Sequence, residues 1–198
     1  MFHPSFFQRI GAVCGFLMPV VVFGCIGAAI ALCSEFSWFN DSLSDLGIAA
    51  GVSAIIFNFG LVVAGLLCFF FAAAGLFNYF KNSVVGRAGS VIFAAVAVWL
   101  AGIGIFNENL WTLHLIVTVL FFVTLALALF TLTVALYRRQ EVQLARFTLI
   151  SAFVAAVPWV LYVIMRYAPD MAIPEIISAF VCSFWIVVLS YKMFKTAT

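Results

Sequence analysis

Six long apolar runs, separated by short polar or charged breaks, account for most of the chain; they fall at about 10–33, 47–80, 88–106, 111–137, 147–166 and 173–191. Each run is continuously apolar, with none of the strict alternation of a membrane barrel strand, so each predicts a helix. A hydrocarbon core about 30 Å thick takes roughly 20 helical residues to cross, and the runs are of that size. The second is long enough to tilt, or to protrude before Lys81. The pattern predicts an all-α fold: a polytopic transmembrane bundle of six helices with short loops. No Pro/Gly/Ser-rich linker or low-complexity tract divides the chain, so 1–198 reads as a single six-helix transmembrane domain.

Composition agrees with the pattern. Of 198 residues, 67% are hydrophobic and 8% charged, against about a quarter charged in soluble domains. A run from Ile10 to Cys33 behind Arg9 faintly resembles a signal peptide, but it is too long and lacks a convincing cleavage site, and it reads as a retained first span. Pro19 and Pro158 fall inside spans and are expected to kink the first and fifth helices. Small residues four apart (Gly11 with Gly15, Gly24 with Ala28, Gly47 with Gly51) are candidates for close helix contacts. The cysteines Cys14, Cys25, Cys33, Cys68 and Cys182 lie in apolar runs without a Cys-x-x-Cys, and suggest packing residues rather than disulfides or a zinc ribbon.

Charge adds orientation. In a six-span arrangement Arg9, Lys81, Arg87, Arg138, Arg139, Arg146, Lys192 and Lys195 share one side, leaving only Arg166 on the other. Short loops rich in Lys and Arg stay in the cytoplasm, so both termini are expected there, in a multi-pass protein of the plasma membrane. Glu35, Asp41, Asp45, Glu108, Asp170 and Glu175 fall on the outer side and only Glu141 on the inner. Trp38, Trp111, Tyr167, Tyr79, Tyr137 and Tyr191 lie near span ends, where amphipathic rings prefer the interface. Membrane lipids are the expected partners, with other membrane subunits a further reading; nucleic acid is not expected.

The chemistry-bearing residues gather on the outer side. The segment from Ser34 to Gly47 mixes acids, hydroxyls and aromatics. Ser42, Ser44 or Asp45 can cap the second helix, or the acids and hydroxyls can hold a cation or a lipid headgroup. His114 lies just inside the fourth span with Thr118 four residues on; it is either an interfacial hydrogen-bonding residue or a functional group. Glu175, Ser178, Cys182 and Trp185 recur on one face of the sixth span. Arg166 is expected to pair with Glu175, Asp170 or Asp45. The candidate outer-face cluster is therefore Asp41, Ser44, Asp45, Glu108, His114, Arg166, Glu175 and Ser178, and a metal, if one is held, would take Asp45, His114 and Glu175. A lone span histidine gives no haem signal, and no flavin or nucleotide signal is present. A short echo, Phe39 to Leu43 and Phe106 to Leu110, precedes the second and fourth spans.

Ser42-Leu43-Ser44-Asp45-Leu46-Gly47, Phe57-Asn58-Phe59-Gly60-Leu61, Phe106 to Glu108 followed by His114 and Phe121-Phe122, and Ile173-Pro174-Glu175 together resemble the integral membrane family called Domain of Unknown Function 998, found mainly in archaea and also in bacteria. The Ser-Asp-x-Gly element more faintly resembles the Frag1/DRAM/Sfk1 membrane family. The first resemblance implies six spans over nearly the whole chain and carries no activity. The leading functional expectation is a non-enzymatic bundle that binds a lipid headgroup, small solute or cation at its outer face, or a small subunit of a larger membrane complex. An intramembrane metal-dependent hydrolase or lipid-modifying enzyme is the alternative, and a small secondary transporter, disfavoured by the lack of deep charges and inverted repeats, is third.

Overall fold

A computed structural model describes residues 4–197, and no strand occurs among them. Six helices are long and apolar enough to cross a membrane: α1 (Pro4–Leu32), α2 (Val52–Tyr79), α3 (Val84–Ile105), α4 (Trp111–Arg138), α5 (Val142–Met165) and α6 (Ala172–Thr196). The shortest, α3, has 22 residues and at 1.5 Å per residue is about 33 Å long, enough to cross the hydrocarbon core. The protein is a multi-pass membrane protein. Its outward faces carry large apolar side chains such as Val20, Phe59, Ile164 and Phe180, while Ser53, Ser90 and Ser178 are buried and donate to backbone carbonyls. That inversion suits a chain whose solvent is lipid, because lipid tails offer a hydroxyl no partner.

Each helix packs on the next in the chain, and α1 packs on α6 to close a ring. The closure is pinned by Gln8, whose Nε2 donates to the Met193 carbonyl at 2.8 Å, and by Arg9, whose Nε donates to the Ala197 carbonyl at 2.9 Å. The middle of the ring is solid. Phe71, Phe93 and Trp185 stack edgewise and tilted, with centroids 5.8 Å, 6.1 Å and 5.1 Å apart. Trp185 Nε1 donates to Thr148 Oγ1 at 2.9 Å, so the one polar atom of this plug is satisfied. Phe71, Phe93 and Trp185 are fully buried there.

The small-residue pairs divide. A Cβ on Gly11 would enter the backbone of Gly75, and one on Gly15 would strike Phe71 and the Ser190 hydroxyl, so this pair lets α1 seat directly on α2 and α6. Gly75 lies in a π-helical turn, Phe71–Leu76, within α2. Gly24 is a correction to the expectation of contact, since a Cβ there meets nothing. Gly51 has φ 76 and opens α2, a conformation that glycine adopts without penalty. α1 and α5 run unbroken through Pro19 and Pro158.

The second span begins later than its hydropathy suggests. Ser44–Gly47 forms a separate 3-10 turn, and α2 starts only at Val52. The expected capping of α2 by Ser42, Ser44 or Asp45 is therefore corrected, because Gly51 precedes the helix and no side chain caps it. Ser42, Leu43, Ser44 and Leu46 are instead buried at the mouth of the bundle. The apolar Leu43 and Leu46 draw this turn inward, and Gly51 then reverses the chain into α2.

With six spans in alternation, the loops fall at two ends. The basic end carries Arg9, Lys81, Arg87, Arg138, Arg139, Arg146, Lys192, Lys195 and Glu141; the acidic end carries the other acids and Arg166.

Candidate functional site

The acidic end is built around Ser42. Asp45 Oδ2 accepts from the Ser42 amide at 2.7 Å and from its hydroxyl at 3.0 Å, while Ser42 Oγ in turn accepts from the Asp45 amide at 3.1 Å. This reciprocal pair closes the 3-10 turn and aims the Asp45 carboxylate at the hydroxyl. Glu108, from the short 3-10 turn Glu108–Leu110 before α4, reaches the same hydroxyl, with Ser42 Oγ to Oε1 at 3.3 Å. Two carboxylates thus converge on one small side chain that is 2% exposed. On the neighbouring flank Glu175 Oε2 accepts from the Leu43 amide at 2.6 Å. That bond ties the first turn of α6 to the inserted loop.

His114 closes the other flank and is buried. Its Nδ1 lies 2.7 Å from the Phe106 carbonyl; because a carbonyl only accepts, Nδ1 carries the proton there. Nε2 is left facing Thr118 Oγ1 at 3.4 Å and Glu108 Oε1 at 3.9 Å. Asp41 and Asp170 form the outer rim. Asp41 Oδ2 accepts from the Ser37 amide at 2.7 Å, and its carbonyl accepts from the Ala172 amide at 3.2 Å. Burial raises the Asp170 carboxyl above the ordinary aspartate range, and the charges of Asp45 and Asp41 push the same way against the Met171 amide bond.

Beneath the carboxylates lies a cavity of about 80 Å³, lined by apolar side chains including Ile26, Phe57, Leu61 and Phe121, with Ser44, Thr118 and Glu175 as its polar edge. The arrangement has an anionic mouth over an apolar floor. It can neutralise a cation at the mouth while accepting a few methylene groups below.

Of the residues singled out from sequence, the structure brings Asp45, Glu108, His114 and Glu175 around Ser42, with Ser44 at the cavity wall and Asp41 at the rim. Ser178 is elsewhere: its Oγ donates to the Ala155 carbonyl at 2.8 Å and accepts from Trp159 Nε1 at 3.0 Å, joining α5 to α6. Arg166 is a correction. It has φ 47 at the end of α5, its guanidinium lies 5.4 Å from the Tyr162 ring centroid, and no ion pair to Glu175, Asp170 or Asp45 occurs among the described residues. Among the described residues no three His, Cys, Asp or Glu side chains are gathered as a metal would need, so Asp45, His114 and Glu175 do not form the suggested metal set; Glu175 is turned to a backbone amide instead. Sequence reasoning left Ser42 and Thr118 off the candidate cluster. Serine and threonine are common enough in such loops and helices that only the folded contacts distinguish these two.

A family model described as "Protein of unknown function (DUF998)" matches residues 7–192, nearly the whole chain. No curated protein and no solved structure matches.

Proposed function

The chain belongs to the DUF998 family, and from that premise we propose that it is a non-enzymatic membrane bundle whose acidic end binds an organic ammonium group, as part of a lipid headgroup or a small amphiphile. In this reading the acidic end faces outward from the plasma membrane and both termini are cytoplasmic. The observation that carries it is the convergence of Asp45 and Glu108 on Ser42, with Glu175 and Asp170 nearby and no Lys or Arg ion-paired to any of them among the described residues. Like charges held together are unfavourable unless a proton or a counter-charge arrives. An ammonium supplies that charge, and its alkyl substituents match the small apolar cavity beneath.

Hexylammonium and hexanol, compared by calorimetry on the protein in a non-ionic detergent, test the reading because they share a chain and differ in charge. Hexylammonium is expected to bind about tenfold more tightly, the gain of one charge-assisted, partly buried contact. Glu108→Gln is expected to remove that preference and to raise the unfolding temperature of the ligand-free protein, since it relieves carboxylate repulsion. Protons compete with the cation, so binding should weaken as pH falls, beginning above the ordinary aspartate range because Asp170 is raised. Equal affinity for the two probes, or an unchanged preference in Glu108→Gln, overturns the reading.

A further inference from the structure

We propose that the basic end holds a second, separate site, a pocket that takes the phosphate of an anionic phospholipid headgroup. A cavity of about 300 Å³ lies where the start of α1, the α2–α3 turn, the α4–α5 turn and the end of α6 meet, and its wall includes Gln8, Asn78, Lys81, Asn82 and Arg139. Among the described residues no carboxylate contributes to that wall. Its volume is roughly that of ten water molecules, ample for a phosphodiester.

Of the two cations in the wall, Arg139 shares its charge with Glu141 and Lys81 has no counter-charge among the described residues. Glu141 is the single acid at this end, and it is engaged by Arg139 Nε at 3.0 Å and Lys192 Nζ at 3.3 Å. Lys81 has no ion-pair partner among the described residues and stands exposed at the turn. Arg139 is fixed in place: it lies 4.3 Å from the centroid of the Tyr79 ring and also donates to the Tyr79 carbonyl. A cation immobilised by an aromatic face loses little freedom when an anion arrives. Gln8 and Asn78 already donate to Met193, Thr196 and Ala74, so the unpaired charge comes from Lys81, with the Glu141-paired Arg139 guanidinium as a fixed donor and Asn82 as a neutral one. The amino end of α3 adds its dipole, with Ser83 as N-cap accepting from the Gly86 amide.

A lipid fits better than a free anion because the pocket adjoins lipid-facing surface. Phe77 and Val84, each next in sequence to a wall residue, are exposed large apolar side chains on the outside of α2 and α3. A headgroup in the pocket leaves its acyl chains to run down that surface, and basic pockets between helix ends are where anionic headgroups gather.

Native mass spectrometry of the detergent-purified protein, titrated with phosphatidylglycerol or phosphatidylcholine of identical chains, tests the site. Phosphatidylglycerol is expected to be retained about fivefold more than phosphatidylcholine. Lys81→Gln should lower that retention about fivefold, the effect of one surface charge, whereas Lys195→Gln, at the same end but outside the pocket wall, should leave it unchanged. Lys81→Arg, which keeps the charge, should retain the lipid. The proposal is overturned by equal losses in Lys81→Gln and Lys195→Gln, which indicate diffuse attraction, or by loss in Lys81→Arg. It is likewise overturned if the two lipids are retained equally, or if millimolar inorganic phosphate displaces phosphatidylglycerol, which assigns the pocket to a soluble anion.

Discussion

At the scale of single residues, the two ends treat carboxylates in opposite ways. Burial pushes the Glu141 carboxyl up, but hydrogen bonds from Tyr79, at 2.6 Å and 2.8 Å, and from Lys192, with the charge of Arg139, outweigh it and leave the group below its ordinary value. A depressed carboxyl stabilises the fold above the unfolded value, about pH 4.3, and that stabilisation is lost as pH falls through the folded value. Glu141→Gln is therefore expected to cost about 1–2 kcal/mol at neutral pH, discounted for partial solvent screening. The deficit should shrink toward zero below about pH 4, as read from unfolding in detergent across pH; a deficit independent of pH contradicts the assignment. At the acidic end, Asp170 is raised and its neighbours are acids. These individual roles were only partly legible in sequence. Asp45, Glu108, His114 and Glu175 stand out because a polar group near lipid is conspicuous. The fate of Arg166 depended on one left-handed backbone angle, and that of Ser178 on a tryptophan nineteen residues away, neither of which spacing reveals.

Elements were far more legible than residues, because membrane spans announce themselves by length and apolarity alone. The exception is instructive. Gly47 reads as the start of the second span because Ile48, Ala49 and Ala50 continue its apolar run, yet α2 begins only at Val52, and the preceding Ser44–Gly47 folds as a separate 3-10 turn with Leu43 and Leu46 buried at the bundle mouth. Hydropathy reports burial away from water and does not distinguish lipid from protein as the covering. The π-turn in α2 was equally silent in sequence. It coincides with the seat of Gly11 against Gly75, where the backbones of α1 and α2 meet without side chains between them. A side chain there has nowhere to go. Gly11→Leu is expected to destabilise the bundle by about 3 kcal/mol or more, beyond ordinary overpacking because the obstacle is backbone. Gly24→Leu, on the same helix but facing open space, should stay within about 0.5 kcal/mol of the parent. Thermal unfolding of both variants in the same detergent distinguishes a specific helix seat from a general intolerance of α1 to bulk.

At the scale of the whole molecule, the ring of six helices is closed at its axis by Phe71, Phe93 and Trp185 and ends in two polar caps of opposite sign. Its orientation then decides which surface each cap meets. Eight of the nine basic residues lie at one end, and charge of that kind is retained in the cytoplasm during insertion, whereas the acids contribute little to the decision. Because the span number is even, the tail after α6 reports the side of the whole basic end. A fluorescent protein fused there is expected to mature and fluoresce, and alkaline phosphatase fused at the same position to be inactive, since it folds only outside the cytoplasm. Arg166 offers a second handle. Its pairing is not needed for the acidic end to hold together, so Arg166→Gln should leave both the reporter pattern and the fold intact, while a structural salt bridge there would make the same change costly. An active phosphatase fusion would reverse the two surfaces, moving the ammonium site inward and the phosphate pocket outward. The geometry of neither site would change, and only the pool of lipids each one meets would be exchanged.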